Sequence, residues 1–200
     1  ALEIVAANPN KFRVVGLSAG RKNPALLMEQ AKKFNVPIVG SMAATAQVDG
    51  VKVIDGDNSS IEIAALPCDI VLNGITGSIG LGPTLSALAV GNKVALANKE
   101  SLVAGGELVM KYGRDKLIPV DSEHSAIFQA MLAGKESDVK KLILTASGGP
   151  FRDRSDLSDV TVADALNHPT WSMGEVVTIN SATLLNKGLE IIEAHYLFDL

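Results

Sequence analysis

The sequence is poor in cysteine, in long apolar runs and in clustered positive charge. Its one cysteine, Cys68, has no partner for an internal disulfide, which suits a reducing compartment. That residue follows Pro67 at the start of an apolar run, where a buried thiol is a simpler reading than a catalytic one. No apolar run is long enough to cross a bilayer, so no membrane partner is expected. Eighteen Lys and Arg stand against 22 Asp and Glu, for a net charge of -4. A protein that grips nucleic acid needs clustered cations, so small molecules are the expected partners and nucleic acid is excluded. Ala1 opens directly into a helix-like pattern, with no basic stretch or small-residue cleavage site, so no targeting segment is visible. There is no initial Met, and the chain stops just after an amphipathic helix, so both ends read as cut.

What is present is enough apolar material for real cores, 47% of 200 residues. Short apolar runs alternate with helical patterns. Strands are expected at Phe12 to Leu17, Val36 to Val39, Ile70 to Leu72 and Lys93 to Leu96, with a helix over Pro24 to Phe34. This βαβ rhythm predicts an α/β fold: a Rossmann-like doubly wound parallel sheet, followed by a smaller α/β catalytic domain. Pro24 and Pro83 sit where helices would begin. Beyond Pro119 the texture changes. Strands are expected at Leu117 to Val120, Val139 to Thr145 and Val176 to Ile179, and a final helix over Ala182 to Phe198 with Leu184, Leu185, Leu189 and Ile192 as its apolar stripe. Between them, Ser147 to Gly174 reads as a long loop and a candidate flap, hinged at Gly148 and Gly149.

Four local constellations could carry chemistry. The turn Gly74 to Gly80 follows a strand and opens a helix; it reads equally as a phosphate cradle and as a turn that lets helix and strand pack. Gly20, Arg21, Lys22 and Asn23 follow another strand, where basic residues would favour the 2′-phosphate of NADP over the diol of NAD. Asp121-Ser122-Glu123-His124 stands at a strand's C-terminal end, and its oxygens would suit Mg²⁺ or Mn²⁺. Helix capping by Asp121 explains the same letters, and the local sequence favours it. On the final helix, Asn186 and Glu190 share a face, as do Lys187 and Glu190, which is the spacing of an ordinary surface ion pair.

Five longer stretches decide what these signals leave open: Leu96 to Ser101, Pro119 to Ser125, Ser147 to Arg152, His168 to Gly174 and Ser181 to Glu190. In this order they resemble the 1-deoxy-D-xylulose 5-phosphate reductoisomerase family, over essentially the whole chain. The resemblance implies an NADPH- and Mg²⁺- or Mn²⁺-dependent enzyme of the bacterial cytoplasm, a homodimer, acting on a sugar phosphate. In that family the substrate rearranges by retro-aldol cleavage and re-addition to an aldehyde, which NADPH reduces. It further implies that Asp121, Glu123 and Glu190 are the metal ligands and converge. Repulsion among them, without a cation, should raise at least one pKa. Lys99 and Ser122 would then meet the substrate's ketone and hydroxyl oxygens. Ser147, His168, Ser181, Asn186 and Lys187 would bind substrate, mostly at its phosphate. Gly20, Arg21, Lys22, Asn23, Asn98, Glu100 and Gly174 would contact the cofactor, and Trp171 and Met173 would be flap residues. The implied division is residues 1–119 for NADPH and 120–200 for metal and substrate. The family's first glycine-rich turn and its C-terminal helical domain have no counterpart in the sequence, so a fragment is expected. The Gly74 to Gly80 turn corresponds to a later turn and does not inherit the pyrophosphate role.

Overall fold

A computed structural model describes residues 1–43 and 49–199. In it, Leu2–Ala7 form helix α1, and the next elements alternate: β1 (Leu17–Ala19), α2 (Pro24–Lys33), β2 (Ile38–Ser41), β3 (Lys52–Asp55), α3 (Ser59–Ala64), β4 (Ile70–Asn73), α4 (Leu81–Ala89), β5 (Lys93–Leu96), α5 (Glu100–Met110) and β6 (Leu117–Pro119). Every strand pairing is parallel, in the orders β1-β2-β3 and β4-β5-β6. These parallel sheets flanked by helices make the α/β, Rossmann-like arrangement that the alternation predicts. Of the Phe12 to Leu17 run, only Leu17 enters the ladder, and Phe12 is exposed.

Each sheet carries its own core. Leu27, Met28 and Ala31 of α2 close on Val36 and Val39. Pro24 fixes the first turn of α2, and the Asn23 side chain accepts from Leu26 N at 3.0 Å, which satisfies one of the unpaired donors that every helix start presents. The second core joins Val94 and Leu96 of β5 to Ala87, Leu88, Leu102 and Val109 from α4 and α5, and to Leu197 and Phe198 from the end of the chain. Burying one such aliphatic side chain is worth about 1.5–3 kcal/mol. This second core therefore ties the last helix to the sheet.

After β6 the chain is helical: α6 (Ser122–Met131), α7 (Val162–Leu166), α8 (Glu175–Ala182) and α9 (Leu185–Phe198). Two expected strands are not formed. Val139 to Thr145 has no regular secondary structure; its Leu142 packs on the second core, but the stretch joins no ladder among the described residues. Val176 to Ile179 lies inside α8, where Thr178 and Ala182 are buried one turn apart while Val176 and Val177 face solvent. Packing of one helical face on α7 and α9 overrides the β preference of Val, Thr and Ile. The expected long loop is interrupted by α7, whose start is closed by a reciprocal Thr161–Asp164 capping box.

The orientation of α9 is the largest correction. Leu184, Leu185 and Ile192, expected to face the core, are exposed, while Glu190, Glu193, Leu197 and Phe198 are buried. Leu184 takes a left-handed backbone at the entry to α9 (φ 59°), so the expected continuous helix from Ala182 breaks there. Among the described residues, no helix is long and apolar enough to cross a membrane.

Candidate active site

The site begins at the C-terminal ends of β5 and β6. Lys99 follows β5 and precedes α5; Asp121 follows β6 and caps α6, its Oδ1 accepting from Ser122 N at 2.8 Å. The capping reading of Asp121 is thus correct, and it leaves the second oxygen free to turn inward. Glu123 sits in the first turn of α6, held by the Ser122 hydroxyl at 2.6 Å. Helix α9 crosses above and delivers Asn186, Lys187 and Glu190 from its first turns.

These elements bring Asp121, Glu123 and Glu190 together, with ligand-capable oxygens all within 4.8 Å of one another. Two ammonium groups interleave them. Lys99 Nζ lies 2.5 Å from Asp121 Oδ2, 3.1 Å from Glu190 Oε1 and 2.9 Å from Asn186 Oδ1. Lys187 Nζ donates to Glu123 Oε1 at 3.0 Å, and also to Glu190 Oε2 and the Thr145 carbonyl. Lys187 is therefore not on a solvated helix face: its side chain is 18% exposed and Glu190's is 1%.

Ser122 and Lys187 reverse the expected effect of crowding on Glu123. Burial alone would raise its pKa, but the Ser122 hydroxyl and the Lys187 ammonium outweigh burial and hold the carboxyl below its ordinary value. Burial likewise opposes the charge on Lys99, and contact with Asp121 and Glu190 overcomes it, raising Lys99. Repulsion appears instead one turn along α9. Glu193, fully buried, is pushed up to about 8, first by loss of solvent and then by the Asp121 charge.

Motif reading missed Glu193 and, although it named His124 beside Asp121 and Glu123, gave that histidine no role. His124 is fully buried; its Nε2 meets the Glu190 carbonyl at 2.9 Å, and its Nδ1 lies 3.4 Å from Glu193 Oε2. The ring thereby joins α6 to α9 directly behind the carboxylates. A signal was available in the sequence: Glu190, Glu193 and Leu197 fall on one helical stripe, so two charges occupy core-facing positions.

The proposed substrate residues group beside this centre. Ser147, Ser181, Asn186 and Lys187 line one small pocket that includes Glu123. The Ser147 hydroxyl lies 3.2 Å from His168 Nε2. Gly149 is pressed against the end of α8, where a β-carbon would meet the Ser181 carbonyl at 2.9 Å, so it is a packed contact as well as a left-handed turn (φ 65°). Trp171 (61% exposed) and Met173 are exposed, and Gly174 starts α8.

The residues expected to contact the cofactor lie on three segments, after β1, after β5 and at the start of α8. Asn98 is buried and donates to the Ile75 carbonyl at 2.7 Å, the Gly77 carbonyl at 2.9 Å and Glu100 at 2.8 Å, so it pins the Gly74 to Gly80 turn from beneath. Gly20, Arg21, Lys22 and Asn23 are all exposed. Arg21 pairs with Asp57 at 2.6 Å, and the Asn23 oxygen is used by the α2 cap. No hydrogen bond or ion pair joins this turn to the carboxylates among the described residues. Cys68, expected to be buried, is only half-buried, and that burial still pushes its thiol up, away from the reactive thiolate.

A cation fits the donor set. Three carboxylates offer oxygens within 4.8 Å of one another, and the positive charge they attract is met in the free protein by the Lys99 and Lys187 ammonium groups. Hard divalent ions prefer oxygen ligands of this kind.

Comparison with known proteins places this architecture. The sequence pattern of 1-deoxy-D-xylulose 5-phosphate reductoisomerase matches residues 1–106, and that of the same enzyme's C-terminal domain matches residues 117–198. The reductoisomerase of Beutenbergia cavernae is 52% identical over all of this chain and 54% of its own length, and that of Leifsonia xyli subsp. xyli is 55% identical over 99% and 52%. Among solved structures, the Zymomonas mobilis enzyme in complex with NADPH superposes with a TM-score of 0.88 at 37% identity, over 100% of this chain and 54% of the other. A DOX-P reductoisomerase in complex with NADPH, fosmidomycin and magnesium gives 0.85 at 37% identity, over 100% and 55%. The chain spans about half the length of these relatives. It belongs to the 1-deoxy-D-xylulose 5-phosphate reductoisomerase family.

Proposed function

We propose that this chain supplies the cofactor- and substrate-binding parts of a reductoisomerase that converts 1-deoxy-D-xylulose 5-phosphate to 2-C-methyl-D-erythritol 4-phosphate in non-mevalonate isoprenoid synthesis. Residues 1–119 bind NADPH and residues 120–200 hold the divalent cation and the sugar phosphate. The enzyme works as a homodimer in the bacterial cytoplasm. The observation that carries this reading is the convergence of Asp121 and Glu123 with Glu190, which lies 67 residues after Glu123, since a plain dehydrogenase has no need of it.

Asp121, Glu123 and Glu190 would hold Mg²⁺ or Mn²⁺. When bound, the cation supplies Lewis-acid polarisation of neighbouring substrate oxygens, and NADPH supplies the hydride. Lys99 already sits against two of the carboxylates, so its ammonium donates to a substrate oxygen at the point where negative charge develops. Ser122 lies on the same first turn of α6; its hydroxyl hydrogen goes to Glu123, which leaves its oxygen to accept from a substrate hydroxyl. Ser147, Ser181, Asn186 and Lys187 take the phosphate, with His168 behind Ser147. That remote, unreacting group anchors the substrate, and its binding energy draws Trp171 and Met173 over the site to exclude water. Arg21 and Lys22 read the 2′-phosphate of the cofactor, while Gly20, Asn23, Asn98, Glu100 and Gly174 line its path.

The test is turnover of 1-deoxy-D-xylulose 5-phosphate by the full-length protein, followed by NADPH absorbance with and without Mn²⁺. Metal-dependent oxidation of NADPH supports the assignment. Tight binding of NADPH and sugar phosphate with no turnover at any metal concentration contradicts it.

A further inference from the structure

The imidazole of His168 has two different jobs on its two nitrogens. Nδ1 faces the backbone N–H of Thr170 at 3.2 Å and of Trp171 at 3.0 Å. Both of those groups can only donate, so Nδ1 must carry the lone pair, and the proton of the neutral ring is on Nε2. Nε2–H therefore donates to Ser147 Oγ at 3.2 Å. With its lone pair so used, Ser147 keeps its own hydroxyl hydrogen to donate outward into the small pocket it shares with Ser181, Asn186 and Lys187.

The three hydrogen bonds run in one direction, from the backbone of the Trp171 segment through the ring to the serine that faces the pocket. Hydrogen bonds in such a chain polarise one another, so an anion accepting from Ser147 strengthens the links behind it. Pro169 lies inside the turn that Nδ1 closes; it has no N–H of its own to offer and restricts the approach of His168 to extended backbone. The ring thus replaces the backbone bonds that this tight turn lacks. Trp171 stands at its end, 61% exposed, with its backbone fixed and its indole free.

We propose that His168 is a positioning residue: its Nδ1 sets the backbone of Thr170 and Trp171, and its Nε2 couples that setting to an anion bound at Ser147. The proposal rests on the phosphate reading of the pocket for its second half only. The first half concerns the unliganded protein.

Two variants separate the nitrogens. In His168→Asn the amide oxygen stands where Nδ1 stood and accepts the same N–H groups as an Asx turn, but nothing reaches Ser147. In His168→Gln the side chain extends toward Ser147 and the Nδ1 acceptor is lost. The solvent-exchange rates of the Thr170 and Trp171 amides, measured by NMR on the ¹⁵N-labelled intact protein, report the turn without substrate, cofactor or turnover. His168→Gln should raise both rates about fivefold, as loss of a hydrogen bond worth roughly 1 kcal/mol requires, and His168→Asn should restore them. Adding inorganic phosphate should slow both amides further in the wild type and leave His168→Asn unchanged. Equal rates in wild type and His168→Gln, or equal acceleration in both variants, would overturn the positioning role. A turn that behaves as stated but ignores phosphate would remove the coupling. Failure of the enzyme reading alone would show as absent turnover with the exchange pattern intact.

Discussion

Two charged regions of this molecule behave in opposite ways. At the carboxylate centre, Lys99 and Lys187 are each less than one-fifth exposed and are fixed by partners from β6, α6 and α9. At the turn after β1, Arg21 and Asp57 form a single ion pair with 66% and 74% of their side chains in solvent. Charges withdrawn from water interact strongly and offset each other's desolvation; exposed pairs are screened and contribute little. The first region is therefore organised before any ligand arrives, and the second is left for a ligand to organise.

Replacing Glu190 by Ala should break this contrast most severely. It leaves two poorly solvated ammonium groups facing fewer partners, and the loss should be about 3–5 kcal/mol of stability by denaturant unfolding. The isosteric Glu190→Gln should cost less, because it keeps an acceptor for Lys99.

Glu193 sharpens the comparison through pH. Its folded-state pKa of about 8 lies above the ordinary 4.5, so between those values the folded chain binds more protons than the unfolded one. Stability should fall as pH rises through that window, by a few kcal/mol in all, because each pH step of one across it changes the folding free energy by up to about 1.4 kcal/mol. Glu193→Gln should flatten the decline in thermal melts across the window. An unchanged slope would mean that Glu193 titrates normally and that His124 stabilises its charge.

Lys187→Ala in the full-length enzyme should lower kcat/KM for the sugar phosphate by roughly 2–3 kcal/mol, about thirty- to more than a hundredfold, because a neutral side chain cannot replace a charge-assisted contact. Binding of NADPH should change little. The smallest effect belongs to the exposed turn: Arg21→Ala should cost less than ~0.5 kcal/mol of stability, falling further with added salt, yet weaken NADPH more than NADH.

Legibility in the sequence followed the range of the interactions involved. The Pro24 helix start and the β4 and β5 strands are set by local caps and apolar runs, and the sequence reading places them to within a residue or two. Val176 to Ile179 was misread because neighbouring helices, not its own β-branched residues, decide its state. The direction of α9 was misread for the same reason: counting apolar residues favoured Leu184, Leu185 and Ile192, whereas the face packed on α5 and His124 carries Glu190 and Glu193. Local spacing alone made Lys187 and Glu190 a surface pair, and only the meeting of β6, α6 and α9 makes them part of a centre. His124 stood inside the Asp121 motif without a role, and Glu193 stood outside every motif, since what they do depends on contact between two helices distant in sequence.

The most direct test of the central claim is a Mn²⁺ titration of the full-length protein by electron paramagnetic resonance, comparing wild type, Asp121→Asn, Glu123→Gln, Glu190→Gln and Arg21→Ala. One high-affinity ion per chain in wild type and Arg21→Ala, with affinity lost at least tenfold in each of the other three, is the predicted result. Unchanged Mn²⁺ affinity in all three carboxylate variants, with each still folded, would contradict it.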